Sequence, residues 1–531
     1  MSKNGDVTYF PNTDPAANQL KNYQTQSIVF PSTNITTLEA CPVGDYTNVS
    51  TFSTRGPISI QDVNYLEEMA NFVRERVPDR VVHVKGCGAF GEFVVTNELI
   101  STICKADLFK IKGQITPVAV RFSVGNFERG SSDSVRDIRG FATKFYTKEG
   151  NYDLLGLNSP VFFLRDPFLF PKLTHSIKRN PQTGLFDYNS RWDFFSLRPE
   201  TLNHITRLYS DHGIPNGFRH MNGFAINTFQ LVNHEGICVY NKFHWRTNQG
   251  EQHLTVKEAK KLSGTDPDYA AHDLYDAIAR KNYPVWTLYI QVMTMEQAKV
   301  WLFNPFDPTK EWPEIEFPLI EVGRLTLDRN PNNVFAQIEQ LAFCPANLVP
   351  GIEFSPDKIL QGRTFAYRDT HRYRIGTNFD LIPVNKPIVP PVHPTIRDGS
   401  MNTSTNEGAK PNYYPNSFEP NIQPHPVEYN EPIQLVNTPI IDRFVSDDDD
   451  SYSQARLRYL SYTIDERKRL HSNIANELLF VYNLIADRAI EQFRLVFEEY
   501  GDGIQLELET LRLLNNGESM APGRSCSPES E

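Results

Sequence analysis

Arg363-Thr-Phe-Ala-Tyr367-Arg-Asp-Thr-His371 is the stretch whose reading decides the fold. A tyrosine ligates iron as phenolate, and with a reference pKa of about 10 it needs a neighbouring cation to ionise at neutral pH. Arg363 stands four positions before Tyr367, so on a helical turn the guanidinium and the phenol share a face. Alone, the segment reads more simply as a surface arginine packed on an aromatic ring than as an iron-binding site.

Around it the chain is proline-rich. Residues from Asp328 to Val445, including Pro383-Val-Asn-Lys-Pro-Ile-Val-Pro-Pro-Val-His-Pro394, predict an extended connection, and the acidic run Asp447–Asp450 marks a solvated boundary. Beyond it, Thr463-Ile-Asp-Glu466 has the form of a capping box. Leu470, Ile474, Leu478, Val481 and Ile485 form an apolar stripe, which predicts helices that pack. Upstream, Tyr65, Met69, Phe72 and Val73 predict a helix between Asp62 and Arg76, and Leu274, Ala277 and Ile278 predict another over Tyr269–Ala279. Segments Pro117–Phe122, Phe141–Tyr146, Phe224–Val232, Ile237–Trp245 and Val285–Thr294 are rich in β-branched and aromatic residues, two of them in clear alternation, and predict a closed antiparallel sheet. The expected organisation is α+β: an arm over 1–60, a β-barrel core over 61–327, a wrapping segment over 328–450, helices over 451–512 and a polar tail over 513–531.

The 531 residues suffice for a large core, and a net charge of −11 argues against non-specific nucleic-acid binding. No apolar run is long enough to span a bilayer. Six scattered cysteines suit free thiols in a reducing compartment. The polar N-terminal residues and the absence of an S-K-L address favour cytoplasm over peroxisome or secretion.

A second stretch, Phe72-Val-Arg-Glu-Arg-Val-Pro-Asp-Arg80-Val-Val-His83-Val-Lys-Gly86-Cys-Gly-Ala-Phe-Gly91, combines a histidine with glycines that would let backbone approach a large flat ligand. This stretch resembles the distal motif of the haem catalases, and Arg363–His371 resembles their proximal ligand motif. The resemblance, to the small-subunit animal type, covers roughly residues 50 to 512. It includes Val135-Arg-Asp-Ile-Arg-Gly-Phe-Ala142, Phe162-Phe-Leu-Arg-Asp-Pro167 and Arg219-His-Met-Asn-Gly223. It implies an antiparallel eight-stranded β-barrel fold with an N-terminal arm, a wrapping segment and C-terminal helices, assembled as a homotetramer acting on hydrogen peroxide.

The resemblance also implies roles. His83 would move the peroxide proton and Ser123 would orient it. Tyr367 would be the axial ligand of haem iron, held as phenolate by Arg363. Arg80, Arg121 and Arg374 would hold the haem propionates, Phe170 would line the distal face, and Asp137 would sit in the entry channel.

Several departures from the family pattern matter. Gly156-Leu157-Asn158-Ser159-Pro160 stands where catalases have Gly-Asn-Asn-Thr-Pro, so the distal amide is replaced by Leu157; Asn158 takes its place only if the loop shifts by one residue. A lost preorganised donor costs on the order of 10²–10³ in rate, which implies weakened peroxide dismutation. Gly125 stands at an apolar narrowing of the channel and implies a wider mouth, while Asn227 replaces a proximal His and Arg368 a Pro. His212, Asn203, Glu314 and Arg246 fall on four positions of the family's nicotinamide pocket and argue against tight NADPH binding. Alternative readings are a haem-binding protein with little turnover and a peroxidase acting on small organic donors.

Overall fold

The computed structural model describes residues 14–27, 33–392, 397–425, 442–443 and 450–515. The first residues of the expected arm, the Asp447–Asp449 part of the acidic run and most of the expected polar tail lie outside these. Contacts divide the chain into two compact units, Met1–Arg80 with Tyr373–Ile375, and Val81–Arg372 with Gly376–Glu531. In the first unit, Asp62 caps the helix Val63–Phe72 by accepting from Tyr65 N.

The second unit is built on a sheet of strands β1 (Gly86–Val95), β2 (Ile115–Val124), β3 (Arg139–Thr147), β4 (Gly150–Leu157), β5 (Gly223–Phe224), β6 (Phe229–Val232), β7 (Cys238–Thr247), β8 (Val285–Thr294), β9 (Ile320–Arg329) and β10 (Ile352–Glu353). Its hydrogen-bonded order is β10-β6-β7-β5-β4-β3-β2-β1-β9-β8, and pairing of β8 with β7 closes eight of them into an antiparallel barrel. Closure removes the exposed edges that a sheet of this size would otherwise present.

Aromatic side chains fill the barrel, so it is a packed core rather than a pore. Phe122 stacks on Phe218 with centroids 5.4 Å apart, and Phe141 stacks on Trp245 at 5.8 Å. Phe93, Phe145 and Trp286 complete this cluster, all fully buried. The glycines of β1 are crowded by this sheet: a Cβ at Gly88 would stand 2.5 Å from Val120 O, and one at Gly91 would overlap Thr326 O. Close strand packing is by itself a reason for glycine at these positions.

A buried ion pair ties the barrel to the segment that follows it. Lys144 and Asp153 are cross-strand partners of β3 and β4, 2.7 Å apart, and Asp153 Oδ2 also accepts from Cys344 N at 2.9 Å and Asn347 Nδ2 at 2.7 Å. These hydrogen bonds offset the desolvation of the carboxylate and fix the chain shortly before the helix Lys358–Ile375. The C-terminal helices Ser453–Ser461, Ile464–Leu478, Asn483–Val496 and Glu498–Leu514 form a second core with Trp192, Phe195 and Tyr209. Leu470, Ile474, Leu478 and Val481 are buried there, although the helix carrying the first three stops at Leu478.

Candidate active site

The helix Lys358–Ile375 starts where Asp357 Oδ1 accepts from Leu360 N at 3.1 Å, and it ends before Gly376 at φ 102°. On it, Arg363 Nη2 donates to the Tyr367 phenol oxygen at 2.7 Å, with the guanidinium carbon 4.9 Å from the ring centroid. The other guanidinium nitrogen donates to Asn227 Oδ1 at 2.6 Å, and Asn227 Nδ2 donates to Asp357 Oδ2 at 2.8 Å. Thr228 N donates to the same carboxylate oxygen at 3.2 Å. Asp357 is wholly buried, and burial pushes its carboxyl up while these hydrogen bonds hold it down.

Tyr367, Arg363, Asn227 and Asp357 thus form one hydrogen-bonded chain. The Asn227 amide uses its acceptor toward Arg363 and its donor toward Asp357, so it fixes orientation. An amide does not titrate in this range and passes no proton between its neighbours. Asp357 was not among the expected site residues, although an aspartate immediately before a helical segment is a recognisable capping signal. Arg368, next to Tyr367 in sequence, donates to Asn347 Oδ1 at 2.7 Å.

Just before β1 and on β2 a second group assembles. His83 has a positive φ of 63°, costly for a residue with a Cβ, and its N–H donates to Gly125 O at 2.8 Å. Arg121 braces that turn, donating to His83 O at 2.8 Å and to Val84 O at 2.9 Å. His83 Nδ1 lies 2.9 Å from Ser123 Oγ. Gly140 of β3 makes this pairing possible: a Cβ there would overlap Ser123 Oγ and stand 2.8 Å from His83 Nδ1. Its sequence motif was visible, but only the cross-strand geometry reveals this need.

Leu157 is the β4 partner of Gly140. Directly opposed residues of an antiparallel pair project to the same face, so the Leu157 side chain lies on the face where His83 and Ser123 meet. It is buried in an apolar cluster with Ile138 and Phe163. Asn158 faces the other way. Its Oδ1 accepts from Arg139 N at 2.8 Å and its Nδ2 donates to His212 O at 3.3 Å, so both ends of the amide are committed to backbone. The one-residue loop shift that would restore a distal amide does not occur.

The expected widening at Gly125 is also corrected. A Cβ there would overlap Ile138 Cγ2 and stand 3.1 Å from Ile138 O, so the side chain of Ile138 already takes the space that Gly125 gives up. Asp137 is buried and its carboxylate accepts from Asn126 N and Asn126 Nδ2 at 2.6 Å each, and from Ile138 N at 2.9 Å. Phe170 opens the helix Phe170–Ile177 and stacks on Phe162 with centroids 6.2 Å apart. Arg80 and Arg374 belong to the first unit, where Arg374 is buried and donates through Nε to Pro78 O at 3.0 Å.

Residues 36–420 match the family model described as Catalase, and residues 445–508 match the one described as Catalase-related immune-responsive. The chain belongs to the catalase family. It is 50% identical over 499 residues to catalase of Cavia porcellus, covering 93% of this chain and 94% of that protein. It is 52% identical over 477 residues to catalase of Glandirana rugosa, covering 90% and 89%. Among solved structures, catalase A from Saccharomyces cerevisiae matches with a TM-score of 0.87 and 39% identity, covering 90% of this chain and 99% of that one.

Catalase-family membership implies haem as the cofactor in general, and the donor set fits it. Among the described residues the Tyr367 oxygen has one hydrogen-bond donor, Arg363, which leaves lone-pair density for iron, and the ring adjoins an apolar cluster of Phe90, Leu155, Ile338 and Phe343 suited to a porphyrin face. Among the described residues, no helix is long and apolar enough to cross a membrane.

Proposed function

We propose that this chain is a haem-dependent catalase, converting two molecules of hydrogen peroxide to two of water and one of oxygen, with turnover lowered by Leu157. The 2.7 Å contact between Arg363 and the Tyr367 oxygen carries the reading, because it puts a fixed cation beside the one atom that must bear negative charge as an iron ligand. Tyr367 would hold the iron; Arg80, Arg121 and Arg374 would hold the propionates; Phe170 would line the distal face. Haem, when bound, supplies the iron that exchanges electrons with peroxide.

The protein's own contribution is proton handling. In the tautomer in which His83 donates Nδ1–H to Ser123 Oγ, Nε2 carries the lone pair and takes the peroxide proton, then returns it to the departing oxygen. Gly140 and the Arg121-braced turn keep the ring in place for both transfers. What is missing is a second donor: Leu157 offers peroxide a hydrocarbon where an amide would hold it against His83.

Attenuated catalase activity is favoured over a peroxidase on organic donors, because Ile138 fills the space beside Gly125. Tight NADPH binding is not proposed: Arg246 pairs with Glu314 at 2.6 Å, and Asn203 is bonded to Thr309 O and Arg458. The assembly proposed is a homotetramer, as is typical of the family, and the compartment is the cytoplasm, supported by the free cysteines Cys41, Cys87, Cys104, Cys238 and Cys344. Purified protein should show a Soret band and evolve oxygen from peroxide; a preparation without the band after haem supplementation removes the haem reading, and one with the band but no oxygen leaves only haem binding.

A further inference from the structure

His212, Glu251 and His253 come together on two neighbouring loops, remote in sequence from Tyr367, and one ligand atom from each lies within 4.8 Å of the others. His212 Nδ1 is 3.6 Å from Glu251 Oε1, and the two imidazole rings approach edge to face with centroids 4.4 Å apart. A tetrahedral zinc ion with ligands at about 2.1 Å separates its ligand atoms by about 3.4 Å, so the His212–Glu251 distance already suits one shared ion. Among the described residues, the buried Nδ1 of His212 has no partner within hydrogen-bond distance, a cost that a metal ligand bond would remove.

The backbone holds this arrangement without help from the three side chains. Asn216 N donates to Gln252 O and Leu254 N to Ile214 O, each at 2.9 Å, and Pro215 and His253 form a β-bridge. These bonds set the loop carrying Glu251 and His253 against the loop carrying His212. The His212 carbonyl is itself fixed by Asn158 Nδ2. Supports of this kind, one shell out from a metal, are what keep ligands in position.

We infer that His212, Glu251 and His253 form a binding site for a divalent transition cation of the zinc type, with a fourth position open to water. Two imidazoles and one carboxylate are a ligand set that zinc accepts in sites with an open position. The Arg207 guanidinium lies 3.6 Å from Glu251 Oε1 and competes for that carboxylate, which makes the expected affinity weaker than that of a dedicated structural site.

The test is zinc chloride added to the haem-loaded, chelator-washed full chain, read by isothermal titration and by metal analysis after equilibrium dialysis. One zinc per chain is expected in addition to haem iron. Glu251→Gln, a change at an exposed side chain, and His253→Ala should each weaken binding by at least about tenfold. His234→Ala, at an exposed position outside the cluster, should leave it unchanged. Soret absorbance and thermal midpoint establish that each variant is folded, and Glu251→Gln keeps the test open should His253→Ala not fold. Zinc uptake that is absent, or that stays the same in Glu251→Gln and folded His253→Ala, overturns the site.

Discussion

Leu157 faces Gly140 across the β3–β4 ladder, and Gly140 is the residue over which the His83 ring meets Ser123. One register position therefore carries both the missing Cβ that lets His83 meet Ser123 and a hydrocarbon side chain on the same face, beside the residue proposed as general base. The proximal chain from Tyr367 to Asp357 is complete, so the two sides of the site differ in how fully they are equipped.

Gly140→Ala should displace His83, because the new Cβ has no space between Ser123 Oγ and the imidazole. A misplacement of about 1 Å costs roughly 10²-fold in rate, so oxygen evolution per haem should fall by about that factor while the Soret band persists. Unchanged activity per haem would show that the His83–Ser123 pairing does not limit turnover.

Gly125→Val should overpack the wall at Ile138 and lower stability by about 1–3 kcal/mol. Ile138→Ala alone leaves a cavity. In the double variant the two errors compensate, and a double-mutant cycle on thermal or denaturant midpoints should return a coupling of about 1 kcal/mol or more. Additive effects would mean that Ile138 does not occupy the volume given up by Gly125.

Asn227→Ala removes the link between Arg363 and the buried Asp357, leaving both without that partner. Loss of a hydrogen bond to a charged group costs about 1.5–3 kcal/mol, and Arg363 is freed to turn from the phenol. Haem should then be retained less tightly on dialysis and the Soret maximum should move. Asn227→Asp, which keeps the acceptor toward Arg363, should retain haem better than the alanine variant. Equal haem retention in wild type and Asn227→Ala would separate Asn227 from ligand positioning.

Much of the site is legible in the sequence because its chemistry is carried by short motifs: Arg363 with Tyr367 at helical spacing, and His83 ahead of a glycine-rich strand. The barrel strands β2, β3, β7 and β8 announce themselves by β-branched and aromatic composition. Strands β1, β4 and β9 do not, because glycines interrupt β1 and charged or small residues such as Asp153 and Gly323 sit inside the other two. Contacts between distant segments leave no local trace at all. The Ile138 side chain filling the space at Gly125, the commitment of Asn158 to Arg139 and His212, and the need for Gly140 all depend on register, which only the folded sheet supplies.

His471 links stability to pH. It is buried between Tyr459 and Tyr500, its Nε2 3.1 Å from the Tyr459 hydroxyl, with Glu499 and Arg467 as its charged neighbours. Burial lowers it from 6.5 to about 4. Below about pH 6.5 the unfolded chain takes up a proton that the folded one refuses, so stability is lost as pH falls toward 4, by about 1.4 kcal/mol per pH unit for this group. Denaturant titrations of wild type and His471→Phe between pH 7.5 and 4.5 should diverge by that slope, the wild type losing more. Parallel curves would mean that His471 is not held neutral by the fold.

Oxygen evolution per haem, compared between wild type and Leu157→Asn at saturating peroxide, tests the central claim most directly. The restored amide lies on the His83 face, so turnover should rise by at least tenfold and by up to about 10²–10³ with haem content unchanged. A Leu157→Asn protein that binds haem and evolves oxygen no faster than wild type contradicts the assignment of Leu157 as the limiting residue.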